Sequence, residues 1–131
     1  MKSYIRRWDD KTIYDPVMED MIGQVFDLVE ADNYSIRFRN KEGVFELLHH
    51  QDCCEDVEIE SIVGDLQDLV GSPILMAEMS QPDLPSKEKY EESYTWTFYK
   101  FATIKGYVDI RWYGSSNGFY SEEVSLEYTK L

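Results

Sequence analysis

The sequence predicts an α+β fold, a single domain spanning residues 1–131 and dominated by a twisted antiparallel sheet with one or two short helices. Three observations predict it. Apolar and polar residues alternate with a period of two through several segments, short connections rich in Gly, Asn and Ser separate those segments, and helical spacing is confined to two short stretches. The chain has 131 residues, 43% of them hydrophobic and 15% aromatic. That is enough apolar material for one core and too little length for two.

Taken in order, residues 1–20 form a variable N-terminal segment whose opening shows no clear period. Asp15-Pro16 looks like a helix entry, with Asp15 capping and Pro16 at the first helical position, which predicts a short helix from Val17 to about Gln24. Val25 to Glu30 reads as a strand. Tyr34, Ile36 and Phe38 alternate with Ser35, Arg37 and Arg39, and Asn40-Lys41-Glu42-Gly43 supplies turn chemistry, so residues 34–50 form a hairpin. Val57 and Ile59 still alternate. Ile62, Val63, Leu66, Leu69 and Val70 then take the spacing of one helical face, capped by Ser61 or Asp65 and ended by Gly71. Ile74 to Met79 is a further strand. Residues 80–92, with Pro82, Pro85 and several acids, form an exposed loop that could act as a lid. The last forty residues predict a three-stranded meander of Ser93–Thr103, Gly106–Tyr113 and Tyr120–Tyr128.

Charge is distributed unevenly. The net charge is −13, and residues 42–92 hold two basic against fourteen acidic side chains, whereas residues 93–131 hold four of each. An acidic field of that size repels nucleic acid and anionic membrane within the Debye length, so no direct nucleic-acid or membrane contact is expected. It favours basic partners. The longest apolar runs, such as Pro73–Ala77, fall far short of the roughly 20 residues of a membrane span, and Met1-Lys2-Ser3 opens no signal-peptide core. Cys53 and Cys54, adjacent in sequence, provide no disulfide framework, so a reducing, cytoplasmic setting is expected.

The blocks His49-His50-Gln51-Asp52-Cys53-Cys54-Glu55-Asp56-Val57 and Gly64-Asp65-Leu66-Gln67-Asp68-Leu69-Val70-Gly71-Ser72-Pro73-Ile74 resemble a domain-of-unknown-function family of small phage and prophage proteins. The later block SYTWTFYKFATIKGYVDIRWYGSSNGFYSEEV, residues 93–124, continues the match. The resemblance covers roughly residues 22–127, apart from the 80–92 loop, and carries no established activity. It implies a setting: an early phage factor, acting in the host cytoplasm against host machinery or defence.

Two groups of residues could carry chemistry. His49, His50, Asp52, Cys53 and Cys54 offer imidazole, thiolate and carboxylate, the ligands of zinc. Spacing argues against a closed site, because side chains of adjacent residues in a strand point apart. One cysteine packing as a small apolar residue, with His and Asp side chains of the cluster bonding local backbone, is the plainer reading. No nucleotide-binding loop, nucleophile elbow or metalloprotease motif is present, which argues against an enzyme.

The second group lies in the charge-neutral tail, where eleven of thirty-nine residues are aromatic. There Tyr99, Trp112, Tyr113 and Tyr120 could stack on a base, Lys105 and Arg111 hold phosphate, and Asn117 read polar edges, with Gly114 and Gly118 letting backbone approach the ligand. The plainer reading has Trp96, Phe98 and Trp112 in the core. The leading expectation is a phage counter-defence protein that binds and sequesters a small nucleotide immune signal, a cyclic oligonucleotide or ADP-ribose derivative, as a homo-oligomer without catalysis or cofactor. The alternative is an inhibitor whose acidic middle mimics nucleic acid and occupies a basic host nuclease or CRISPR effector. A metal-dependent enzyme at His49–Cys54 is third.

Overall fold

The computed structural model describes residues 3–6 and 12–131, with side chains from Asp15 onward. Among the described residues ten strands make two antiparallel sheets. β1 (Ser3–Arg6), β2 (Thr12–Asp15), β3 (Leu28–Ala31), β4 (Ser35–Arg39), β5 (Gly43–Leu48) and β10 (Ser125–Lys130) form a six-stranded sheet in the order β1-β2-β10-β5-β4-β3. β6 (Glu55–Val63), β7 (Met76–Ser80), β8 (Ser93–Thr103) and β9 (Gly106–Ser116) form a four-stranded sheet in the order β6-β9-β8-β7. With 51% strand and 7% helical residues, antiparallel sheet dominates as expected. The helices reduce to single 3-10 turns at Met18–Met21 and Leu66–Leu69. The architecture is therefore mostly β rather than α+β.

The sheets face each other across one core. Alternation places Ile36 and Phe38 of β4 and Phe45 and Leu47 of β5 inward, opposite Phe101 of β8 and Val108, Ile110 and Trp112 of β9, all fully enclosed. Phe38 and Phe101 meet at 4.8 Å between centroids, one ring from each sheet. Burying each such side chain contributes roughly 1.5–3 kcal/mol.

Several expected elements change. The Asp15-Pro16 entry fails because Asp15 ends β2 and Val17 stands at the cap, its N–H bonded to the Asp20 carboxylate at 2.8 Å. The strand expected from Val25 forms three residues later, as β3. Apolar spacing after Ile59 looked helical for a different reason. β6 runs on to Val63 with a bulge between Ile59 and Ser61, so Ile59 pairs with Trp112 and Ile62 with Ile110. The extra residue returns Ile62 to the inner face three positions after Ile59, imitating a helical period. Only Leu66–Leu69 turns, capped by Asp65, whose side chain accepts the Gln67 N–H.

The meander holds for two strands. β8 and β9 pair along their whole length, but β10 leaves for the other sheet, between β5 and β2. Segment 81–92 is free of helix and strand as expected, yet it is tied down. Trp96 Nε1 donates to the Pro85 carbonyl at 3.0 Å, and the Lys87 N–H donates to the Tyr113 hydroxyl at 3.1 Å. Among the described residues no helix is long and apolar enough to cross a membrane.

Candidate functional site

The outer face of the four-stranded sheet, which sees no second sheet, is built from cross-strand pairs. Register sets Trp96 opposite Tyr113, Phe98 opposite Arg111 and Lys100 opposite Asp109. Each pair interacts. Trp96 and Tyr113 meet edge to face at 4.7 Å, the Arg111 guanidinium lies 5.2 Å from the Phe98 centroid, and Lys100 reaches Asp109 at 3.8 Å. Lys100 also stands 5.8 Å from the exposed Tyr107 ring.

Segment 81–92 divides this face. It covers the Trp96–Tyr113 half, where the Tyr113 hydroxyl also bonds the Glu91 carboxylate and Lys87 sits 5.5 Å from the Tyr113 ring. Burial, then the bond to Glu91, pushes the Tyr113 phenol up to about 12. The other half is open. It holds a recess of about 370 Å³ with Glu78, Phe98, Lys100, Asp109 and Arg111 in its lining. Among the described residues, no carboxylate pairs with Arg111.

The seven tail residues singled out in the sequence do not converge. Tyr99 and Trp112 point inward and are enclosed, and burial followed by the Glu123 charge raises the Tyr99 phenol above its ordinary range. Tyr113 faces outward beneath segment 81–92. Lys105, in the β8–β9 turn, donates to the Val70 carbonyl at 2.6 Å. Asn117, beyond the far end of β9, accepts the Phe119 N–H at 3.1 Å. The eleven residues of β9 separate Lys105 from Asn117 by roughly 35 Å. Tyr120 is half-buried at that far end, beside Phe119 in a separate recess of about 480 Å³. Arg111 alone of the seven is an exposed side chain on the open recess, joined there by Phe98 and Lys100, which sequence reasoning missed. Their shared face follows from alternation, but pairing them with Arg111 needs the β8–β9 register.

Gly114 and Gly118 serve the chain itself. A Cβ on Gly114 would stand 3.0 Å from Val57 Cγ2 and 3.1 Å from both the Glu122 Cβ and its carbonyl oxygen, so the glycine admits the Glu122 backbone. Glu122 is buried, accepting the Thr95 hydroxyl at 2.7 Å and the Ser116 hydroxyl at 2.5 Å. Gly118 turns the loop with φ +90°.

The His49–Cys54 group is also dispersed. His49 is buried, with Nδ1 2.6 Å from the Glu123 carbonyl and Nε2 3.2 Å from the Glu55 carboxylate. His50 points to the opposite side, where Nε2 meets Glu127 at 2.6 Å. Asp52 donates its backbone N–H to Glu55. Cys53 and Cys54 are exposed and joined as a disulfide between sequence neighbours, where free thiols, one of them packed, were expected. Among the described residues no group of three or more His, Cys, Asp or Glu side chains is arranged to hold a metal ion. A recess of about 660 Å³ lies elsewhere, between residues 22–27, the β4–β5 turn and Val70-Gly71, and takes in none of the predicted residues.

No curated protein and no solved structure matches the chain. A family model matches residues 17–126, from before the first 3-10 turn into β10, and so includes both faces of the four-stranded sheet. The chain belongs to the family described as domain of unknown function (DUF7448).

Proposed function

We propose that the protein is a non-catalytic capture protein for a small phosphorylated, ring-bearing ligand, held on the open half of the outer face. The observation that carries this reading is Arg111: an exposed guanidinium laid on a phenyl ring, at a recess, without a carboxylate partner among the described residues. Its fork is free to take a phosphate, with Lys100 as a second cation and Phe98 as an apolar wall. A recess of about 370 Å³ suits a mononucleotide-sized group. A larger cyclic oligonucleotide or ADP-ribose derivative calls for a site shared between copies, hence a homo-oligomer. The proposed setting is phage counter-defence in the host cytoplasm, where tight binding alone withdraws the signal.

A melting scan with cyclic oligonucleotides, ADP-ribose and AMP tests this. A ligand at a thousandfold excess over its Kd adds about 4 kcal/mol of stability. Arg111→Ala should abolish the shift while leaving the unliganded protein folded. No shift with any of these compounds would end the reading.

One observation favours a second reading, in which the protein mimics nucleic acid toward a basic host nuclease or CRISPR effector. Asp56, Glu58 and Glu60 lie along β6, the last strand of its sheet, without a cation partner among the described residues. Asp56 and then Glu58 raise the phenol of nearby Tyr34, which registers the acidic field. Neutralising these three carboxylates should abolish inhibition of such a partner and leave small-ligand capture intact, while Arg111→Ala should do the reverse.

A further inference from the structure

The two long strands of the four-stranded sheet are unequally covered. β9 pairs along β8 from Ser93 to Thr103, but β7 reaches only from Ala102 to Phe98. The reason is in the sequence: β7 ends at Ser80, and Pro82 and Pro85 follow at once, residues that cannot donate to a ladder. Ser93–Thr97 therefore keep one open backbone edge. Among the described residues no backbone hydrogen bond reaches them from segment 81–92.

Two recesses flank that edge on opposite faces of the sheet. On the outer face, Pro82, Leu84, Tyr94 and Trp96 line a recess of about 360 Å³ together with Gln81, Asp83 and Thr95. Toward the inner face, Ser93, Thr95, Phe119, Tyr120, Glu122 and Glu123 line the recess of about 480 Å³. Phe119 is 91% exposed, more than any other large hydrophobic side chain described. No lysine or arginine lines either recess. An unpaired strand edge with alternating pockets is the arrangement by which sheets accept an extended peptide: main-chain bonds give affinity, and alternate side chains enter opposite faces.

We propose that Ser93–Thr97 dock an extended segment of a partner protein as an added strand, and that the segment alternates apolar with basic residues. Apolar side chains fill the outer recess. Basic ones lay their aliphatic stems on Phe119 and bring their charge to the exposed Glu123 at the inner recess. Charge also selects against a second copy as the occupant, because Ser93–Thr97 of a second copy carries no basic side chain to meet the acidic inner recess. This site is separate from the Arg111 recess and stands or falls independently of it.

The test uses the full chain and three synthetic nonapeptides: alternating valine and lysine, alternating valine and glutamate, and the valine–lysine peptide with proline at its centre. Hydrogen exchange followed by NMR is the readout. The valine–lysine peptide should slow alternate amides within Ser93–Thr97 at least tenfold, and the other two peptides should not. Phe119→Ser, at an exposed position that leaves the melting curve unchanged, should weaken binding about tenfold, and added salt should weaken it further. Absence of protection at millimolar valine–lysine peptide would overturn the proposal. So would equal binding of the glutamate peptide, or an unaltered affinity in Phe119→Ser. Protection of the same amides that rises with protein concentration alone would assign the edge to a second copy instead.

Discussion

His49 Nδ1 lies 2.6 Å from the carbonyl oxygen of Glu123, and that bond ties together the two places where the chain passes between sheets. One passage runs from the end of β5 at Leu48 to the start of β6 at Glu55, the other from the end of β9 at Ser116 to the start of β10 at Ser125. They leave the same end of the sandwich, because Leu48 pairs with Ser125 and Glu55 with Ser116. A carbonyl can only accept, so Nδ1 carries the proton. Nε2 faces the Glu55 carboxylate at 3.2 Å, with both side chains almost wholly enclosed.

Glu55 makes this junction sensitive to acid. The Asp52 N–H holds its carboxyl below the ordinary value of 4.5; burial opposes that effect, and the bond to His49 reinforces it. A carboxyl depressed on folding stabilises the fold above its unfolded value, and the stabilisation is lost as pH falls through the folded one. Urea midpoints should therefore hold level down to about pH 4.5 and decline below it. Glu55→Gln should lower the midpoint at neutral pH and flatten the acid decline. A variant that keeps the full decline would assign it to other carboxylates.

Thr97 and Trp112 are cross-strand neighbours on the inner face, and the Thr97 hydroxyl and Trp112 indole nitrogen are both buried without a hydrogen-bond partner. Burying an unpaired hydroxyl costs on the order of 1–3 kcal/mol, while valine keeps the shape. Thr97→Val should raise stability by about 1 kcal/mol in urea denaturation. A loss would show that the hydroxyl is bonded in solution.

Glycine at 114 and at 118 answers two different constraints, and substitution separates them. Alanine at 114, in β9, meets Val57 and Glu122 at 3.0–3.1 Å, and Glu122 is held in place by two hydroxyl bonds. Overpacking of that kind costs about 1–3 kcal/mol. Alanine at 118 meets nothing within 4 Å, so only the left-handed backbone resists it, at about 1–2 kcal/mol. Gly114→Ala should also speed exchange of amides across 119–124, whereas Gly118→Ala should lower the melting temperature without that local opening.

Local alternation made β4, β5, β8 and most of β9 legible in the sequence, because each strand buries one face and register follows from a short turn. What stayed hidden depends on partners distant in sequence. β1 and β2 are too short to show a period; β1 pairs with β2, and β2 is held by β10. The bulge at Glu60 disguised β6 as a helix. β10 crosses to the other sheet after a loop that the buried Glu122 ties to Thr95 and Ser116, a role that composition does not reveal. The tail aromatics follow the same rule: strand parity sorts them into inner and outer faces, but only the fold shows that Tyr99 and Trp112 are enclosed and that Phe98 and Lys100 stand beside Arg111.

Tyr113 connects the sheet to segment 81–92, and its ionisation should release that segment. Its phenol is pushed up to about 12 from an ordinary 10, by burial and then by the bond to Glu91. A group raised on folding stabilises the fold fully below its unfolded value and loses that contribution as pH rises through the folded one, here between 10 and about 12. Ring-carbon NMR should find Tyr113 titrating well above the ordinary phenol value of 10, and Glu91→Gln should bring it down. Tyr113→Phe removes the acceptor for the Lys87 N–H. A bond worth about 1 kcal/mol corresponds to roughly fivefold faster exchange at that amide, with the core amides of Val108 and Ile110 unchanged. Unchanged exchange at Lys87 would mean that segment 81–92 is held by the Trp96–Pro85 bond alone.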